Sequence, residues 1–254
     1  MRPSLIGIGI AAAFVLAIAL SATFRPGRDS QEANNQMPGH PLIRAPKHQI
    51  RDVTLGDGTQ LTLDASSRVE VAVTAKERRL KLLEGTARIA VKREARPFIV
   101  EAGVGEASAL AATFDIGMAD HGQIEVAVLS GEVELRSLLR PAVLRGNTRK
   151  VQSGQATAYI ASTFAPSAVE REGIDRADWP DGWADYEATP LARLISDANR
   201  YARRPIVLDD SDLGKLLVSG HFRITETDRF AERIASLFDL ALKRTADNIH
   251  LRKR

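Results

Sequence analysis

Apolar and polar residues alternate with a period of two from about His48 to Phe164, and with a helical period only after Thr189. Val53 and Leu55 alternate with polar neighbours up to Asp57-Gly58, a turn whose glycine tolerates positive φ. Leu61 and Leu63 then return, which predicts a hairpin. Val69, Val71 and Val73 predict the next strand, Leu80 and Leu82 another, and Ala87, Ile89 and Val91 a further one beyond Gly85. Phe98, Val100 and Ala102 follow Pro97, as suits a strand start. Phe114 and Ile116 precede a His121-Gly122 turn and a strand at Ile124, Val126 and Val128. Val133 and Leu135 follow Gly131, and Ala156, Ala158 and Ile160 close the series. Many short strands at this spacing predict an all-β roll or sandwich.

The texture changes near Asp178. Trp179 and Trp183, both tryptophans of the chain, lie in DWPDGWADYE. Thr189-Pro190 reads as an N-cap followed by proline at the first helical position. Leu191, Leu194, Ile195, Ala198, Tyr201 and Ala202 then share one helix face. Pro205 stops that helix, Ile206 to Leu208 predict a strand, and Leu216 to Phe222 predict another. Thr227 caps a second helix carrying Phe230, Ile234, Leu237 and Phe238. A hairpin of Leu240 to Lys243 with Ile249 to Leu251, turned at Asp247-Asn248, ends a small α+β domain.

In front of both lies Leu5 to Phe24, LIGIGIAAAFVLAIALSATF, without charge or proline. As a helix it is about 30 Å long, the thickness of a bilayer's hydrocarbon core. An uncleaved transmembrane anchor fits its length best. A cleavable signal would exit at Ala17-Ile18-Ala19 or Ala19-Leu20-Ser21. The expected order is therefore anchor or signal peptide over 1–24, an extended linker over 25–47 and an all-β domain over 48–178, ending in an α+β domain over 179–254. The fold class is mainly β. The chain is expected to cross a membrane once, with its bulk on the far side.

Composition narrows the chemistry. The chain has no cysteine, which excludes disulfides and thiolate metal sites. Its formal net charge is +3, with basic residues scattered among 32 acids, so Arg252-Lys253-Arg254 reads as a solvated end and no nucleic-acid partner is expected. His40, His48, His121, His221 and His250 include no two at ligand spacing on one element. Asp209-Asp210-Ser211-Asp212 suggests calcium, but an EF-hand needs glutamate at its twelfth position, and Gly220 stands there. A capped turn is the better reading. Gly7/Gly9 and Gly103/Gly105 make no dinucleotide fingerprint, and no serine sits in a nucleophile elbow. Glu84, Glu132 and Glu134 fall on predicted strands, where solvated faces are the default. Neither an enzyme nor a cofactor is expected.

Several motifs, in order, resemble the FecR domain. Leu55-Gly56-Asp57-Gly58-Thr59 with Leu61 and Leu63 resembles its opening, and Leu80 to Val91 (LKLLEGTARIAV) its centre. Arg96-Pro97-Phe98-Ile99-Val100 is similar to its RPF strand, Val126 to Val133 to a later repeat, and Gly154-Gln155-Ala156 to its close. Leu110-Ala111-Ala112-Thr113-Phe114 departs from the family's L-G-T-x-F, and alanine there predicts a different local turn. Pro190-Leu191 opening a helix and Val218-Ser219-Gly220 on a strand resemble the short secretin/TonB amino-terminal (STN) domain that often follows.

The resemblance implies a membrane-anchored periplasmic signal-transduction regulator, an anti-sigma factor responding to a TonB-dependent outer-membrane receptor, often in iron or siderophore uptake. Implied partners are the receptor's periplasmic signalling domain and, only if the chain extends upstream, an extracytoplasmic-function sigma factor, since Met1 to Ser4 give it no surface. The alternative is a periplasmic envelope-binding or scaffolding module without sigma-factor control. An exposed strand edge is the physical route for a partner, and Leu216, Leu217, Val218, Ser219, His221 and Phe222 are its candidate. Trp179 and Trp183 either anchor that partner or pack the two domains together. Because Leu194 is expected to face the small domain's sheet, Leu194→Ala should destabilise it by about 2–5 kcal/mol. An unchanged melting midpoint would refute the helix-face assignment.

Overall fold

Period-two alternation lets a strand bury one face, and here it produces a sheet that curls around that face. The computed structural model describes residues 40–118, 122–138, 148–160 and 178–254, with strand residues 167–168 and 174–175. The apolar segment Leu5–Phe24 and His121 lie outside these. Among the described residues no helix is long and apolar enough to cross a membrane.

The β region contains β1 (Leu42–Arg44), β2 (Arg51–Thr54), β3 (Gln60–Leu63), β4 (Arg68–Val73), β5 (Arg78–Glu84), β6 (Thr86–Ala90) and β7 (Phe98–Ala102). It continues through β8 (Gly105–Ala109), β9 (Ala112–Met118), β10 (Gln123–Ser137), β11 (Arg149–Gln152), β12 (Ala156–Ile160) and β13 (Ser167–Ala168). The path of hydrogen-bonded neighbours is β1-β4-β5-β7-β8-β10-β9-β6-β3-β2, with β11 and β12 also on β10 and β13 on β12. The 15-residue β10 joins the two arms: its first half pairs with β9 and β12, its second with β8 and β11. Among the described residues of this region all pairings are antiparallel except β5 with β7. Leu61, Leu63, Val69, Leu80, Leu82, Ile89, Phe98, Phe114, Ile116, Ile124, Val126, Val133 and Leu135, from both arms, fill one core.

Three local departures have physical causes. β1 lies inside the stretch expected as linker, because Leu42–Arg44 finds a ladder on β4. Ala156, Ala158 and Ile160 are expected on the core face of β12; Ala158 is buried, but Tyr159, on the other side of the pleat, is the β12 residue that joins the core cluster. Its hydroxyl donates to the Ala102 carbonyl at 3.0 Å, and its ring covers Gly105, where a Cβ would come within 2.5 Å. Burial pushes the Tyr159 phenol above its ordinary range. Leu110–Ala112 bends without positive φ, so alanine fits where the family places glycine. Gly85 is different: it turns the chain from β5 into β6, in the other arm, at φ +82, with the Ser67 Cα only 2.8 Å from where a Cβ would sit.

The second unit of secondary structure runs β14 (Ile174–Asp175), β15 (Trp183–Pro190), α1 (Leu191–Asn199), β16 (Ile206–Leu208), β17 (Leu217–Arg223), α2 (Thr227–Leu237), β18 (Leu240–Arg244) and β19 (Ile249–Lys253). It forms two three-stranded sheets, β14-β15-β17 and β16-β19-β18. Leu191, Leu194, Ala198, Phe230 and Ile234 from the helices meet Val218, Phe222, Ile249 and Leu251 from the strands in a second core. Pro190 rather than Thr189 precedes α1. Thr189 Oγ1 instead donates to the Glu187 carbonyl at 3.0 Å. Thr227 is the first residue of α2, after Glu226.

Arg78 closes one end of the β region from inside. It is 1% exposed. Its Nε donates to Asp57 Oδ2 at 2.7 Å, Nη1 to the Arg96 carbonyl at 2.7 Å, and Nη2 to the Lys92 carbonyl at 2.7 Å and Thr59 Oγ1 at 3.2 Å. Its guanidinium lies 5.5 Å from the Phe98 ring centroid. Asp57 also accepts from the Thr59 amide at 3.0 Å and hydroxyl at 2.9 Å. Burial opposes ionisation of Asp57, but these bonds from Thr59 and Arg78 outweigh it and hold the carboxyl below its ordinary 3.8.

Arg78→Met should therefore cost about 3–5 kcal/mol in denaturant melts, because it strands a buried carboxylate and two carbonyls. Lys150→Ala, at an exposed pair with Glu132, should leave the midpoint nearly unchanged. A lowered folded pKa stabilises above the unfolded value and loses that effect as pH falls through the folded one. The gap between wild type and Asp57→Asn should accordingly narrow below pH 3.8. A gap independent of pH would contradict the ion pair.

Candidate functional site

The sheet order β14-β15-β17 leaves the outer side of β17 without a strand partner among the described residues. Backbone groups along such an edge are available to another chain. The inner side is anchored on β15, with Trp183 opposite Arg223, Asp185 opposite His221, Tyr186 opposite Gly220 and Thr189 opposite Val218. The register shifts between Tyr186 and Thr189, where Ala188 adopts φ 43 and its amide donates to Ser219 Oγ at 2.9 Å. Gly220 meets that irregularity at φ +143, a backbone region side chains rarely enter.

The expected edge residues divide by the pleat. Val218 and Phe222 turn into the core, while Leu217, Ser219 and His221 are exposed, Leu217 at 62%. Leu216 precedes the strand: its amide donates to the Leu213 carbonyl at 3.2 Å and its carbonyl accepts from the Leu191 amide at 2.7 Å. The strand thus starts one residue later than expected and runs one residue further, to Arg223.

The two tryptophans also separate. Trp179 is buried at the seam with the β region, where its Nε1 donates to Asp115 Oδ2 at 3.0 Å. Arg88 grips the same carboxylate at 2.7 and 2.8 Å and lies 5.6 Å from the Trp179 ring. The seam continues at buried Asp64, which accepts from Arg200, from the Tyr201 hydroxyl at 2.7 Å and from the Ala65 amide at 2.7 Å. Trp183 instead stacks on His221, centroids 4.4 Å apart and planes 7° apart, with Arg223 at 5.9 Å. Trp183, Leu217, Ser219 and His221 therefore share the accessible sheet, and Trp179 does not join them.

His221 Nδ1 lies 2.7 Å from Asp185 Oδ1. With Asp178 these residues offer three ligand atoms within 4.8 Å of one another, the only such group among the described residues. Tertiary pairing of β15 with β17 builds it, and spacing along one element could not have found it. The Asp209–Asp212 turn spends its carboxylates on neighbouring side chains: Asp209 on the His250 imidazole at 2.6 Å, Asp210 on Lys253 at 2.7 Å and Asp212 on Lys215 at 2.8 Å. The Lys253 hydrogen bond, with that of the Asp212 amide, holds the Asp210 carboxyl below its ordinary value. Asp210 also caps the turn, accepting from the Asp212 amide.

The family model described as FecR protein matches residues 42–134. Two crystal structures of a candidate anti-sigma factor from Parabacteroides distasonis, at 2.50 and 1.65 Å resolution, are similar in fold. Each is 20% identical, with a TM-score of 0.62 over 84% of this chain and 99% of the other. No curated protein matches the sequence.

The separation of the tryptophans is measurable. Trp179→Ala should lower stability by about 3–5 kcal/mol, as for other buried aromatics. Trp183→Ala removes a half-exposed stack and should cost about 1 kcal/mol. Chemical denaturation of both variants checks this, and the reverse order would place the seam at Trp183.

Proposed function

We propose, for a chain whose residues 42–134 are a FecR domain, that it is a FecR-type regulator which takes its input from a TonB-dependent outer-membrane receptor. The FecR match, within a fold shared with a candidate anti-sigma factor, is the observation that carries this reading. The order of β15, α1, β16, β17, α2, β18 and β19 supports an STN-like module behind it. In this reading the receptor's signalling domain adds a strand to β17. Backbone pairing gives affinity, while Leu217, Ser219 and His221 give selectivity. Leu5–Phe24 anchors the regulator in the inner membrane with residues 25–254 in the periplasm. Control of an extracytoplasmic-function sigma factor, for iron or siderophore uptake, belongs to this reading only if the chain extends upstream of Met1.

The full chain in detergent should bind the purified signalling domain of a receptor encoded nearby. In cells it should fractionate with the inner membrane and become protease-sensitive only after the outer membrane is permeabilised. Absence of receptor binding, with unchanged fractionation, would favour the scaffolding reading. A soluble periplasmic form starting near Leu20 or Ala22 would replace the anchor with a cleaved signal.

A further inference from the structure

Between the end of β17 and the exposed side of α2 lies a concavity of about 250 Å³ walled by Trp183, Phe222 and Phe230. Three guanidiniums surround it, those of Arg223, Arg229 and Arg233, with the single carboxylate of Glu226. Glu226 already bridges two of them, at 3.0 Å from Arg223 and 2.9 Å from Arg229. Arg233 lies 5.0 Å from the Phe222 ring centroid, and no carboxylate among the described residues pairs with it. Stacking on an aromatic face fixes the plane of a guanidinium while leaving its edge donors free. The pocket therefore carries two uncompensated positive charges and holds one carboxylate of its own.

We propose that this concavity is an anion pocket taking an acidic side chain of the strand that pairs along β17. The assignment rests on the reading of β17 as a receiving edge. Arg223 is the last residue of β17, and Arg229 and Arg233 occupy successive turns of α2. On this proposal a strand laid on that edge passes Arg223 and reaches the guanidiniums at the end of β17. Arg–carboxylate pairs are charge-assisted and directional, so the pocket sets the register of a backbone ladder that carries little sequence information itself.

The test titrates the full chain in detergent with a labelled, capped peptide of alternating valine and glutamate, and with its glutamine counterpart. The acidic peptide should bind about tenfold more tightly at low ionic strength, and the difference should shrink at high salt. Arg233→Gln and Arg229→Gln, both on the exposed side of α2, should remove the preference while the melting midpoint changes little. Equal binding of the two peptides, saturation by neither, or a preference that survives the double variant would overturn the pocket. Inorganic phosphate saturating the site as tightly as the peptide would make it a small-anion site and overturn the strand assignment. The receptor's signalling domain is titrated in parallel. Its failure to bind wild type would count against the proposed function, whereas the peptides decide the pocket.

Discussion

One buried guanidinium sets the shape of the β region. Arg78 starts β5, in one arm of the sheet, while its acceptors Asp57 and Thr59 sit at the β2–β3 turn in the other. Its remaining bonds go to the connection between β6 and β7. A charge removed from water is tolerated only when nearly every donor is satisfied, and this one is met by a carboxylate, a hydroxyl and two carbonyls. The two arms cannot separate at this end without exposing or orphaning that set. The D-G-T turn and the R-P-F strand are thereby parts of one cluster: Asp57 and Thr59 hold the guanidinium, and Phe98 lies against it.

A second polar set joins the β region to the α+β unit. Asp64 and Asp115 come from the first, and Arg200, Tyr201 and Trp179 from the second. Trp179 belongs to the short turn that leads directly into β15, so the seam fixes the strand on which β17 is built. The seam uses none of the outward residues of β17. Stability and accessibility are in this way assigned to different residues of the same small sheet, and the tryptophan four positions on from Trp179 is spent on the accessible side.

Along β17 a backbone ladder, an imidazole stacked on an indole and an arginine-lined concavity lie side by side. A free edge alone would accept many strands. In the proposed reading, charge at one end and an exposed leucine at the other narrow that choice, because a wrong partner leaves the guanidiniums uncompensated or an apolar group in water.

The strands with strong alternation were legible in the sequence because one apolar face must find a core, whatever the topology: Leu61 and Leu63, Leu80 and Leu82, Ile124 to Val128. The face of α1 was equally legible, with Leu191, Leu194 and Ala198 wholly buried. β8 and β15 were not, since their buried residues are small or polar, with Tyr186 the only large apolar one, and β15 is broken by an irregularity. Tyr159 joins the core from β12 because its ring fills a volume over Gly105 that an alanine cannot. The sequence alone determined the motif order of a FecR domain and proposed β17 as a place for a partner. Only the tertiary structure decided that Trp183 shares its sheet and Trp179 does not, that Asp178, Asp185 and His221 meet, and that Arg223, Arg229 and Arg233 converge. Periodicity reports which face of an element is buried, whereas convergence of charges depends on which elements become neighbours, and that is fixed by packing across the whole chain.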